Sequence, residues 1–216
     1  TPAYGSANLS NAVRVPREMI IGQGPAPALP QPLRAGEASP LLRYGRTRLS
    51  ADQLMSGGFD SVSLLSNGLM TFDGDVDLHM GQGLSLFAGS LSLAESASDS
   101  ARVNLSAPYL RLSGLGTYLS SEVKVRPRVM SNPTAQLSGA QYTASADLLD
   151  VGNSLSFGTE GTLVQSAAWA LAVSRRGFGL VTLDSQGDLR FLAPTDEQQR
   201  SRLWTAGDMH MRAAQI

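Results

Sequence analysis

The sequence predicts an all-β chain, built as a β-solenoid whose coils run to about 20 residues. Three observations predict it. From Val62 to Leu112 apolar and polar residues alternate in short runs divided by Gly, Asn, Asp or Ser, the mark of half-buried strands. Paired apolar positions then recur together: Val62/Leu64, Leu84/Leu86 and Val103/Leu105, and beside them Met70/Phe72, Leu91/Leu93 and Leu110/Leu112. Finally, "GFDSVSLLSNGLMTF" (58–72) is nearly repeated, without a gap, as "GFGLVTLDSQGDLRF" (177–191). A chain that stacks copies of one unit has reason to repeat itself in this way.

Taken in order, residues 1–23 hold two short apolar runs. Residues 24–40, "GPAPALPQPLRAGEASP", are too dense in proline for an ordinary helix or inner strand. Residues 1–46 therefore read as an extended, proline-rich segment that caps one end of the stack, and 47–216 as the stack itself. Within it, 113–150 read as a coil with an excursion, because alternation weakens there and two prolines intervene. "APTDEQQRSR" (193–202) reads as a polar insertion. The beat returns at the end as Leu171/Val173, Leu189/Phe191 and Met209/Met211, with "GDLRF" at 187 echoed by "GDMHM" at 207. The chain reads as a piece of something longer.

A sandwich of hairpins also gives short strands at regular intervals, but it does not need like residues once per coil. A solenoid does, because coils stacked at the ~4.8 Å strand spacing turn equivalent inward positions into continuous apolar ladders. On this reading the 119 residues between the two near-repeats are about six coils, and the repeats are the same piece of two different coils. A transmembrane barrel also alternates, but the aromatics here are scattered and form no paired girdles.

Composition narrows the function. A formal net charge of −1 gives no general push toward nucleic acid. The absence of cysteine excludes disulfides and thiolate metal sites. No apolar run reaches the ~20 residues of a membrane helix.

Three constellations carry possible chemistry. In "FDGDVDLHM", inward Val76, Leu78 and Met80 would set Asp75, Asp77 and His79 on one outer face, with Asp73 close by, the nearest approach to a divalent-cation site. It lacks calcium-loop spacing, and the echo at 207–212 offers Asp208, His210 and Arg212 instead. A solvated polar face is favoured, and no metal or other cofactor is assigned. Next, "LRYGRTR" supplies Arg43, Arg46 and Arg48, and "EVKVRPR" supplies Lys124, Arg126 and Arg128. Guanidinium forks at alternate positions suit sulfate, phosphate or carboxylate groups of a glycan. The bland alternative is a charged edge that blocks sheet aggregation. Third, Asp73, Asp75 and Asp77, or Asp147 with Asp150, imitate the acid–base carboxylates of carbohydrate-active enzymes. No nucleophile elbow, metalloprotease motif or phosphate loop accompanies them, so no catalytic residue is assigned. Trp169 and Trp204 read as core or coil-end packing.

"LSADQLMSGGFDSVSLLSNGLMTFDGDVDL", "VNLSAPYLRLSG", "GFGLVTLDSQGDLRF" and "LWTAGDMHMRAAQI" together resemble the haemagglutinin-type segment of the filamentous haemagglutinin family of bacterial exoproteins. The resemblance covers residues 47–216. It implies a right-handed parallel β-helix, export through an outer-membrane transporter of the two-partner route, and exposure at the bacterial surface. The implied role is structural and adhesive: a shaft that displays or forms a binding surface for a host-cell or bacterial receptor or glycan. A glycan- or receptor-binding module on the same scaffold, and a carbohydrate-active β-helix enzyme, are the alternatives.

Overall fold

The computed structural model describes residues 17–25, 45–66, 68–115, 128–129, 136–166, 169–193 and 201–216. They are mostly strand with almost no helix, as the alternation predicts. In chain order the first elements are β1 (Glu18–Gly22), β2 (Arg46–Ser50), the helix α1 (Ala51–Ser56), β3 (Ser61–Leu65), β4 (Leu69–Asp73), β5 (Val76–His79), β6 (Gly83–Phe87) and β7 (Ser90–Leu93). There follow β8 (Arg102–Ser113), β9 (Arg128–Val129), β10 (Gln141–Gly152), β11 (Ser154–Phe157), β12 (Thr159–Ser166) and β13 (Trp169–Arg175). The last are β14 (Leu180–Ser185), β15 (Leu189–Leu192), β16 (Arg202–Thr205) and β17 (Asp208–Arg212).

These strands form two parallel sheets and one small antiparallel sheet. The first runs β16-β11-β7-β4-β1-β2. The second runs β17-β14-β10-β8-β6-β3, with β5 and β15 beside it on β8 and β10. β8 and β10 are long enough to serve two ladders each: the first half of β8 pairs with β5, its second half with β6. The chain passes from the first sheet (β4) to the second (β5, β6) and back (β7). These four strands begin seven residues apart, at 69, 76, 83 and 90. The third sheet, β13-β12-β9, is antiparallel; its hairpin β12–β13 leaves the stack between β11 and β14, and β9 joins it from between β8 and β10.

Inward residues stack in register. Val76, Val103, Tyr142, Val181 and Met209 form one ladder, and Leu64, Leu86, Leu112, Val151 and Phe191 another. Where the ladders meet, Phe72, Tyr142, Phe157 and Phe178 are fully buried, with Tyr142 centred 5.0 Å from Phe157, 5.2 Å from Phe178 and 5.8 Å from Phe72. Their tilted and edge-on packing suits the ring quadrupoles. Burial pushes the Tyr142 phenol far above its ordinary pKa, so the ring enters this core uncharged.

Corners follow the predicted chemistry. Gly74 turns the chain from β4 to β5 at φ 84°, and Asn153 turns it from β10 to β11 at φ 55°. The Asn153 amide donates to Ser113 Oγ at 3.0 Å, binding its corner to the one beneath.

Several expected alignments are corrected. Val62/Leu64 does lie opposite Leu84/Leu86, and Met70/Phe72 opposite Leu91/Leu93. The third members are exchanged: Val103/Leu105 lie opposite Val76/Leu78, and Leu110/Leu112 opposite Leu84/Leu86. Alternation runs from Val103 to Ala107, slips by one residue at Pro108–Tyr109 and resumes at Leu110, and this slip marks where the β5 ladder gives way to the β6 ladder. Leu171 and Val173 belong to the antiparallel hairpin, while Leu189/Phe191 and Met209/Met211 occupy different ladders. The near-repeats at 58–72 and 177–191 are thus not equivalent pieces: β3 and β14 sit in different ladders. What repeats is a strand–corner–strand unit, which obeys the same local rules wherever it falls.

Ladder spacing is also uneven. It is 21 residues from Phe72 to Leu93, but 39 from Val103 to Tyr142 and again from Tyr142 to Val181. Part of the stretch 113–150 forms the long central strand β10, while 116–127 and 130–135 lie outside the described residues, as do 194–200. The described part of the proline-rich segment, β1, lies inside the first sheet between β2 and β4 rather than over its end. The end of the second sheet is met by α1, whose Ser50 N-cap accepts a hydrogen bond from the Gln53 amide at 3.1 Å.

Truncating the aromatic centre tests this packing. Phe178→Ala is expected to cost about 3–5 kcal/mol. Tyr142→Phe removes only a hydroxyl without a hydrogen-bond partner and should hold or raise stability. Denaturant unfolding measures both, and comparable losses would overturn the placement of Tyr142.

Candidate functional site

The outer face opposite the Leu64–Phe191 ladder carries the densest arrangement of polar side chains. Residues between inward-facing neighbours must point outward in a strand. Arg111 lies between Leu110 and Leu112, Asp150 between Leu149 and Val151, and Arg190 between Leu189 and Phe191. The strand register then sets these three side by side across β8, β10 and β15. Arg190 forks onto Asp150, with Nε donating to Oδ1 at 2.7 Å and Nη2 to Oδ2 at 3.0 Å. The Tyr109 hydroxyl donates to Asp150 Oδ2 at 2.8 Å. Arg111 lies 5.3 Å from the centre of the Phe87 ring.

Asp150 is only 4% exposed because Arg190 and Tyr109 lie over it, while Arg190 itself stays 49% exposed. Burial pushes the Asp150 carboxyl up. The hydrogen bonds from Arg190 and Tyr109, with the charges of Arg190 and Arg111, outweigh that and hold its pKa below the ordinary value. The Tyr109 phenol is raised, first by burial and then by its bond to the Asp150 carboxylate. A second pair lies across β14 and β17, where Arg212 forks onto Asp184 and lowers its pKa. Such a surface offers guanidinium groups, a phenol and an aromatic face, which suits recognition.

Of the acid–base candidates read from the sequence, Asp150 lies in this row, held by Arg190 and Tyr109; the metal-ligating and basic candidates fall elsewhere. Asp75, Asp77 and His79 do share an exposed outer face, with Val76, Leu78 and Met80 buried behind them. They do not converge: Asp75 Oδ1 accepts the backbone N–H of Arg102 at 2.8 Å, while Asp73 is taken by Arg48 and by Ser96. An open groove of about 290 Å³ lies here, lined by Gln23, Asp75, Val76, Asp77, Arg102 and Asn104. Among the described residues no group of three or more His, Asp or Glu side chains could hold a metal ion.

Of the basic candidates, Arg48 Nη1 donates to Asp73 Oδ2 at 2.8 Å. Arg46 Nε lies 3.3 Å from Glu18 Oε2, close enough for an ion pair though off line for a hydrogen bond. Both charges are answered by the chain's own carboxylates. Arg128 lies in β9, and Arg43, Lys124 and Arg126 lie outside the described residues. Trp204 is half-buried in β16, with Arg202 5.9 Å from its ring centre. The cluster that sequence reasoning missed is Tyr109, Arg111, Asp150 and Arg190. Its signal was a charge centred between two apolar residues in "LRL", "LDV" and "LRF".

The depressed Asp150 pKa fixes the sign of a pH effect. A carboxyl lowered on folding contributes stability above its unfolded pKa of ~3.9, and loses it as pH falls through the folded value. Asp150→Asn should therefore lower the thermal midpoint at neutral pH, and the difference from the parent should close below about pH 4. A gap that persists undiminished in acid would show that the carboxylate charge is not what holds the row.

No protein-family model, no curated protein and no solved structure matches this chain.

Proposed function

We propose that this chain is a segment of a right-handed parallel β-helix, the shaft of a large secreted exoprotein of the filamentous haemagglutinin family at the bacterial cell surface. Its role there is structural and adhesive. The observation that carries the reading is the succession β4, β5, β6, β7: strands that begin seven residues apart pass from one parallel sheet to the other and back, and β7 then pairs in register with β4, and β8 with β5. Stacks of this kind contact only their neighbours, so length is added without redesigning the core. The phrases shared with that family support the assignment of family, export by an outer-membrane transporter, and surface display. In the described residues no helix is long and apolar enough to cross a membrane.

A second reading, a glycan-binding module on the same scaffold, is favoured by the Arg111–Asp150–Arg190 row. Two guanidinium groups stand there beside Phe87 and Tyr109, and guanidinium forks suit the carboxylate or sulfate groups of an anionic sugar.

Binding of the fluorescently labelled, folded chain to host cells and to sibling bacteria separates the two. The shaft reading expects no saturable binding, with a cooperative unfolding transition proving the sample folded. Saturable binding that Arg190→Ser weakens severalfold would replace it with the module.

A further inference from the structure

We propose that the place between β2 and β4 is a strand-acceptor slot, and that β1 of a second copy of this chain fills it as β1 of the same copy does. The slot exists for a geometric reason. Going from β4 through β5 and β6, the chain returns to the first sheet one strand further on, at β7. Going from β2 through α1 and β3, it returns two strands further on, at β4. The difference lies in α1, which packs against β5 where another strand would stand. The free-edge amides of β5 are met from this side, Asp77 N–H by Gln23 Oε1 and His79 N–H by Met55 Sδ. A helix is ~10 Å across, against ~4.8 Å for a strand. One helix layer therefore lifts β2 by two strand spacings and leaves a gap of one strand in the first sheet.

β1 fills this gap from outside the chain order. It pairs in parallel with β2 on one side and β4 on the other, five residues to each. Ile21 is fully buried. The buried Glu18 carboxylate accepts from Arg175 Nε at 3.0 Å, from Arg175 Nη2 at 3.2 Å and from Thr71 Oγ1 at 3.0 Å. Arg46 adds an ion pair to it, with Nε 3.3 Å from Glu18 Oε2. Gln23 follows, its carbonyl accepting from Asp52 N–H and Ser50 Oγ. Every one of these partners lies 27 or more residues away in sequence. The slot thus specifies a short extended segment: an acid at the first position and apolar side chains at the third and fourth.

Nothing in this set of contacts requires β1 and the slot to belong to one chain. They are joined by residues 23–45, which fully extended reach about 75 Å. Exchange keeps every contact and changes only the route of the connector, the condition for domain swapping. Mass action decides between the forms. Two chains must meet to form the exchanged dimer, so it is minor in dilute solution and grows with chain concentration.

The chain contains no cysteine, which makes the test direct. Met19 lies opposite Thr47 in the β1–β2 register. Neighbouring strands place their Cα atoms at ~4.8 Å, within disulfide range. Full-length Met19→Cys and full-length Thr47→Cys chains are mixed unfolded, refolded together at a series of concentrations, oxidised and separated without reductant. The double variant, Met19→Cys with Thr47→Cys, is oxidised in parallel at low concentration. The expected result is closure within single chains of the double variant. The mixture should give a disulfide-linked heterodimer whose ratio to monomer rises about tenfold for each tenfold rise in concentration. Three results would overturn the proposal: a double variant that fails to close, closure with no heterodimer at any concentration, or equal heterodimer when Phe59→Cys replaces Thr47→Cys. Phe59 is exposed and remote from the slot's register, so equal capture there would mark collision and not exchange.

Discussion

Register between parallel strands is the constraint on which the rest of this molecule depends. Each inward side chain sits on a like side chain one strand away, and a slip of one residue would turn a whole strand's apolar set to solvent. The ladder Val76, Val103, Tyr142, Val181, Met209 shows how strictly the rule is kept even where the intervening chain varies from 27 to 39 residues. Loop closure makes such variation cheap, since doubling a loop adds only about 0.6 kcal/mol. Insertions can therefore leave the stack at one corner and return at the next without cost to the core. The hairpin β12–β13 does this between β11 and β14.

The same register decides what happens on the outer faces. Residues that must point outward are aligned as closely as those that point inward, so charges on successive strands meet whether or not they are complementary. Asp150 falls beside Arg190 and Arg111, and Asp184 beside Arg212; both carboxyls are lowered by what the register sets next to them. Glu18 is the buried version of this arrangement. Burial works against the charge of Arg175, and the hydrogen bonds and charge of Glu18 outweigh it, raising the Arg175 pKa. Removing one member of such a buried pair typically costs about 3–5 kcal/mol, far more than for an exposed pair. The contact spans 157 residues of sequence and ties the first described strand to the hairpin, so it fixes elements that no local signal could bring together.

This explains how much was legible. Alternation identifies strands and their inward faces because it is a property of single segments: Val76, Leu78 and Met80 are buried, and Asp75, Asp77 and His79 exposed, as the pattern requires. Which strand lies beside which is a property of pairs: the slip at Pro108–Tyr109 marks a boundary between ladders but does not name the partner strand. Leu84/Leu86 and Val103/Leu105 look alike and are not neighbours; Val76/Leu78 and Val103/Leu105 are. The candidate site fails to appear for the same reason. Arg46 and Arg48 cluster in sequence yet meet Glu18 and Asp73, whereas Tyr109, Arg111, Asp150 and Arg190 are scattered and meet each other.

The two ends of the stack differ in kind, and the difference follows from what terminates each ladder. At the side of β2 and β3, α1 turns its Leu54 and Met55 onto the core, and side chains satisfy the free amides of β5. At the other, β16 and β17 are the last strands. Phe191 is 49% exposed although it stands in line with fully buried Leu86 and Leu112, and Met211 is 37% exposed in line with buried Leu183. At this edge Phe191 and Met211 each continue a ladder rather than closing it. A ladder has no intrinsic length, because every layer presents to the next the same surface it was given. Only a change of element, such as the helix at the opposite end, breaks that equivalence. Termination, and not stacking, is therefore what a molecule of this design must encode separately.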